Sequence, residues 1–120
     1  MPWTYDQRSG RLHRPNGQVA GDGYSGNFLN ANYPPAQSSQ FAGPIPAGSY
    51  TIGQAYQHPT KGPLTMNLTP IGHSAAGRSD FRIHGDNRSS PGNASAGCVI
   101  LSPDIRNEMA LSPDRVLKVR

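Results

Sequence analysis

Glycine and proline punctuate this chain so often that long helices are not open to it. They supply 14 and 12 of its 120 residues and are spread from end to end. Proline removes a backbone donor and glycine adds unfolded-state freedom, so either one interrupts a helix. With charged residues at only 15%, the chain reads as mainly β, short strands joined by many turns. Its length suits one domain over residues 1–120.

The segment WTYDQRSGRLHR alternates and turns at Ser9-Gly10, a hairpin signal. Asn16-Gly17 then predicts a type I′ turn. From Asn27 to Phe41 no periodicity survives, and an irregular surface loop is expected. GPIPAGSYTIG becomes extended after Pro44 and Pro46, and PLTMNLTPI is a strand expected to end at Pro70 and Gly72. DFRIHG alternates, which puts Arg82 and His84 on the face opposite Phe81 and Ile83. CVIL is a short apolar run of the buried-strand kind. Ser102-Pro103-Asp104 supplies a cap, a first-turn proline and an acid at the positive dipole end. One short helix, IRNEMAL, should follow and stop before Pro113, and RVLKV should close the chain as a strand.

The net charge is +4, with arginine the main basic residue, but the charges are scattered. That pattern fits a soluble basic surface and argues against nucleic-acid binding. No apolar run approaches membrane-spanning length, so no membrane insertion is expected. MPWTYDQRSG has no charged region followed by an apolar core, so no Sec signal peptide is expected either. A single cysteine, Cys98, excludes an intrachain disulfide and a zinc finger. His13, His58 and His73 lack metal-ligand spacing, and no metal or cofactor is expected.

The chemistry gathers in FRIHGDNRSSPGNASAGCVIL, where His84 precedes Cys98 across a stretch rich in small residues. A thiol nucleophile needs a base and donors for the oxyanion. His84 at one strand end and Cys98 at the start of the next could be neighbours across a sheet, with the Gly97 and Cys98 amides as donors. The other reading makes Cys98 a small buried hydrophobe beside a surface histidine. The residue pattern alone leaves both open.

The run HGD, then PGNASAGCVIL, resembles the catalytic motif of L,D-transpeptidases, in which a histidine precedes a Ser-x-Gly-Cys at about this spacing. GPIPAGSYTIG is similar to the Pro-x-Gly-x-aromatic strand that comes before the active site in that fold. With WTYDQRSGRL, GDGYSGN and the stretch from KGP to IHGD, nearly the whole chain resembles the small stand-alone L,D-transpeptidase effectors of type VI secretion systems. The resemblance implies a β-sandwich or half-barrel with one short helix near the C-terminus. It makes Cys98 the nucleophile and His84 its base, with the Gly85 carbonyl orienting the imidazole and Gly97 contributing to the oxyanion site. A base hydrogen-bonded to the thiol should hold it below its ordinary range. Ser95, Asp86 and Tyr24 fall to the substrate side. Ala96 stands where relatives have histidine, and Val99-Ile100 where they have an arginine, so Arg78 or Arg82 would have to take the substrate carboxylate.

The activity implied is cysteine-dependent L,D-transpeptidase or L,D-carboxypeptidase chemistry on peptidoglycan tetrapeptide stems, through a thioester. A secreted monomer acting in the periplasm of a target bacterium, with a periplasmic immunity protein as partner, is the corresponding biology. A different wall-acting cysteine peptidase is disfavoured, because here His precedes Cys. The alternative class is a non-catalytic cell-wall-binding module, which keeps the β fold without a reactive thiol.

Overall fold

Gly10 adopts the left-handed conformation that the first hairpin requires, with φ 73°. The computed structural model, which describes residues 2–26, 32–37, 43–86 and 97–120, pairs β1 (Trp3–Tyr5) with β2 (Arg11–His13) antiparallel across it. β2 leads into β3 (Val19–Asp22) through Pro15-Asn16-Gly17. Only Gly17 of these has positive φ, at 90°, and its N–H donates to the Arg14 carbonyl at 2.8 Å. The turn is therefore type I followed by a left-handed glycine, and the type I′ expectation is corrected. Pro15, with φ near −65°, suits the first central position of a type I turn, so the tight turn forms one residue earlier, over residues 14–17, and Asn16 does not take the positive φ that type I′ needs.

The chain continues as β4 (Tyr24–Ser25), β5 (Gly48–Ile52), β6 (Tyr56–His58) and β7 (Gly62–Ile71). Of the loop expected between Asn27 and Phe41, residues 32–37 are described, and Pro34–Ala36 there form a 3-10 turn. β8 (Phe81–His84), β9 (Val99–Ile100), α1 (Pro103–Leu111) and β10 (Val116–Val119) complete it. β7 runs through Pro70, where the sequence suggested an end. Pro70 pairs with Tyr50 on β5, while pairing to β8 stops at Leu68–Phe81. Its nitrogen, lacking a donor, faces the side where β8 is absent.

The strand order is β3-β2-β1-β10-β5-β7-β8-β9-β4, with β6 added on β7. Its two ends, β3 and β4, are separated in sequence by Gly23 alone. The sheet must therefore curl until its edges meet, giving a nearly closed half-barrel with one helix near the C-terminus. A Cβ on Gly23 would run into the Ile100 carbonyl and the Leu101 side chain, so this closure needs glycine. Trp3, Tyr5, Leu12, Tyr50, Met66, Ile83, Val99 and Leu117 fill the interior, each 1% exposed or less. α1 starts as its residues dictate: the Ser102 hydroxyl accepts from the Ile105 N–H at 3.4 Å, Pro103 opens the first turn and Asp104 lies within it. It adds Met109 and Ile105 to the core.

Candidate active site

β8 and β9 run parallel, with Ile83 opposite Val99 and His84 opposite Ile100. One step back along the same register, Cys98 lies across from Arg82. Because side chains alternate, Arg82, His84 and Cys98 share one face of the sheet. Cys98 and His84 are diagonal neighbours there, on adjacent strands and two residues out of register.

His84 is 2% exposed, although period-2 alternation placed it on the outer face. The cause lies on the other neighbour: β7 continues past Met66, opposite Ile83, so that Thr65 falls across from His84. Thr65 itself pairs with Tyr56 of β6, so three further strands flank the imidazole. Its Nδ1 is 2.8 Å from the Gly85 carbonyl. A carbonyl only accepts, so Nδ1 carries the proton and the neutral ring keeps its lone pair on Nε2. Nε2 is buried and has no hydrogen-bond partner among the described residues. Burial pushes the His84 pKa down to about 4, helped by the charges of Lys61, Arg106 and His58, with the Gly85 hydrogen bond opposing. At neutral pH His84 is thus an uncharged base with an unsatisfied acceptor.

Cys98 is 5% exposed, and its Sγ points toward the Asp80 carbonyl at 3.8 Å. Burial pushes the thiol above its ordinary range. A hydrogen bond from the Arg82 amide and the charges of Lys61 and Arg82 pull it back, while Asp80 adds to the rise. The expectation of a depressed thiol pKa is corrected accordingly: desolvation disfavours the thiolate more than these donors and cations favour it. The resting pair is neutral thiol and neutral imidazole.

The turn before the thiol is shaped by Ser25, which sequence reasoning did not single out, together with Gly97 and Arg78, which it did. Ser25, fully buried, donates from its hydroxyl to the Gly97 carbonyl at 3.2 Å and accepts the Ile45 N–H at 2.7 Å. A trans peptide is planar with C=O and N–H opposed, so fixing the Gly97 carbonyl aims the Cys98 N–H the other way. Gly97 has φ 123°, and a Cβ there would collide with the Arg78 guanidinium. Arg78 donates to the carbonyls of Gln37, Pro44 and Gly43 at 2.6, 2.7 and 3.0 Å and lies 5.3 Å over the Phe81 ring. It holds the 43–46 segment against the thiol turn. Gly97→Ala should lower the unfolding free energy by about 2 kcal/mol, through left-handed strain and the displaced Arg78, as read from urea denaturation. An unchanged midpoint would mean that the turn has slack.

Tyr24 and Asp86 meet at the far end of β8 and β9, where the Tyr24 hydroxyl donates to Asp86 Oδ1 at 2.7 Å. With Gly85 and Arg106 they line a cavity of about 410 Å³. Arg106 is a second residue sequence reasoning missed, because a helical arginine normally points to water. Here it is 6% exposed and donates to the carbonyls of Leu101 at 3.0 Å and Pro63 at 2.7 Å. It tethers the helix to the start of β7. Tyr50 belongs to the core, where its hydroxyl donates to the Pro46 carbonyl at 2.8 Å. Ser95 and Ala96 lie outside the described residues.

Solved structures share this architecture. The catalytic domain of an Enterococcus faecium L,D-transpeptidase, solved by NMR, matches with TM-score 0.57 and 15% identity, covering 99% of this chain and 95% of that one. A crystal structure of an Enterococcus faecium L,D-transpeptidase carrying a cysteine-to-serine mutation matches with TM-score 0.60, 15% identity and 99% coverage of this chain, which spans 49% of that longer protein. An L,D-transpeptidase from Mycobacterium smegmatis gives TM-score 0.54 at 17% identity, covering 98% of this chain and 57% of that one. At such identities the likeness speaks for the fold. No protein of curated function matches the sequence. A family model does, that of the Tlde1 domain, over residues 20–118. That span holds His84, on β8, and Cys98, just before β9, and the chain therefore belongs to the Tlde1 domain family of L,D-transpeptidase-like type VI effectors.

Proposed function

We propose that this protein is a cysteine acyltransferase of the bacterial cell wall that removes or exchanges the terminal D-Ala of peptidoglycan tetrapeptide stems. One observation carries the reading. The His84 ring is fixed by Gly85 through Nδ1, and its buried Nε2, on the sheet face that also holds the only thiol, has no partner among the described residues. Leaving a buried acceptor unsatisfied costs about 1–3 kcal/mol, and of the two ring nitrogens in that state among the described residues, His13 Nδ1 and His84 Nε2, that of His84 shares a sheet face with the thiol. A general base needs such an acceptor there.

In the reaction, Cys98 Sγ attacks the carbonyl that links the L-centre of meso-diaminopimelate to D-Ala. The thiol proton passes to His84 Nε2 as the S–C bond forms, since neither group is ionised at rest. The oxyanion is met by the Cys98 amide, which the Ser25 hydrogen bond to Gly97 orients, together with the Gly97 amide. The C–N bond then breaks, and His84 returns its proton to the departing amine. The thioester is resolved by water or by the amine of a D-amino acid, with His84 again taking a proton. Ser95, Asp86 and Tyr24 act on the substrate side, and Arg78 through the turn it holds.

Membership in an effector family supports delivery into a rival cell, where the wall is the target and an immunity protein protects the producer's own periplasm. The test is digestion of purified sacculi followed by muropeptide analysis. Tripeptide stems and D-residue exchange should accumulate from tetrapeptides, with pentapeptides little touched. Cleavage of pentapeptides instead would assign a D,D-activity, and sacculi that bind the protein but stay intact would assign a binding module.

A further inference from the structure

Three arginines stand near the Cys98–His84 pair, and their hydrogen bonds separate them. The guanidinium of Arg78 is engaged by three carbonyls at 3.0 Å or less, and that of Arg106 by two. Arg82 is different. Its Nε reaches the Tyr56 hydroxyl at 3.4 Å and its Nη1 the Asp80 carbonyl at 3.3 Å, both long contacts. Among the described residues no carboxylate pairs with it. It is half-buried, and it borders a cavity of about 380 Å³ together with Asn67, Asp80 and Phe81.

Its place in the sheet gives that weakly held cation a meaning. Asn67 pairs with Arg82 across β7 and β8, and Cys98 follows in the same row on the other side. The Tyr56 hydroxyl donates to Asn67 Oδ1 at 2.7 Å, which leaves its lone pairs turned toward Arg82 Nε and positions the fork. Neighbouring strands are about 4.8 Å apart, close to the distance from a scissile carbonyl to the carboxylate of a single residue beyond it. A planar guanidinium takes a carboxylate bidentately.

We propose that Arg82, positioned by Tyr56 and Asn67, binds the free carboxylate of the stem's terminal D-residue and so restricts the enzyme to substrates that end one residue past the scissile bond. This rests on the acyltransferase reading above. The same contact would seat an incoming D-amino acid, since it carries an identical carboxylate. In a pentapeptide that carboxyl is tied up in a peptide bond, which offers no charge to the fork.

The experiment compares two synthetic tetrapeptide stems, one with a free C-terminal carboxylate and one with a C-terminal carboxamide, by release of the terminal residue. The wild type should prefer the acid by about 10- to 100-fold in kcat/KM, the range of a charge-assisted hydrogen bond. Arg82→Gln should collapse that preference toward one, chiefly through KM for the acid, and Arg82→Lys should restore part of it. Tyr56→Phe, at a position 37% exposed, should narrow the preference several-fold and guards against misfolding of the Arg82 variants. A wild type indifferent to the terminus, or a preference that survives Arg82→Gln and Tyr56→Phe, would overturn the assignment while leaving the acyltransferase reading in place. Absence of any Cys98-dependent release from either stem would bring down both.

Discussion

Cys98→Ala is expected to abolish release of D-Ala, by about four to six orders of magnitude, while the protein stays folded. The fall is the usual consequence of deleting the covalent nucleophile. The fold should survive because the change removes one sulfur from a site where Cys98 is 5% exposed, a cavity cost of about 1 kcal/mol. The thiol's weak hydrogen bond to the Asp80 carbonyl, at 3.8 Å, adds little to that. The same variant decides the biology. Expressed with a periplasmic signal, the wild type should kill and Cys98→Ala should not, whereas expression in the cytoplasm, away from the wall, should be harmless. Three measurements therefore bear on one atom: thermal unfolding, D-Ala release and periplasmic toxicity. A variant that unfolds would make Cys98 a core residue. One that remains toxic in the periplasm would end the enzymatic account.

Local chemistry made much of this fold legible in advance. The Ser9-Gly10 turn, the Ser102 cap, the helix stop before Pro113 and the strand character of DFRIHG and CVIL all depend on interactions within a few residues, and sequence displays those directly. What it hid is set by pairings between distant segments. β10 lies between β1 and β5, parallel to the first and antiparallel to the second, and nothing in RVLKV announces those partners. Pro70 looks like a strand terminator until the early end of β8 removes the need for its missing donor. His84 looks half-exposed until β7 brings Thr65, and β6 beyond it Tyr56, to its other side. The site divides in the same way. Cys98, His84 and Gly97 stand out by residue type and order. Ser25, Tyr56 and Asn67 do not, since serine, tyrosine and asparagine are common and only the curl of the sheet gives them their places. The direction of the thiol's pKa shift was invisible for a related reason, because it depends on how dry the neighbourhood is.

That dryness governs the last expected result, the pH dependence carried by His84. Its pKa in the folded protein is about 4, below the 6.5 of a free imidazole, so the fold favours the neutral ring. The contribution to stability is fully present above pH 6.5 and is lost as pH falls from there through about 4, because the unfolded chain then binds a proton that the folded one resists. Wild-type protein should lose on the order of 2 kcal/mol across that window from this group. His84→Gln, which keeps a donor for the Gly85 carbonyl but cannot titrate, should show a correspondingly flatter profile in urea unfolding at pH 7 and pH 4.5. Activity should follow the same group: kcat/KM should persist below pH 6 and fall only toward pH 4, since its acid limb reports the base of the free enzyme. His84→Gln should reduce kcat/KM by about 10²- to 10⁴-fold at neutral pH, the range lost with a general base. Alkylation of Cys98 in the folded wild type should be slow at pH 7 and accelerate only above the ordinary thiol range, as its raised pKa requires. Activity that drops near pH 6.5, with no difference in unfolding profile between wild type and variant, would show an exposed and ordinary imidazole. That outcome would remove the buried base from the mechanism, because a solvated histidine has no unsatisfied Nε2 to offer.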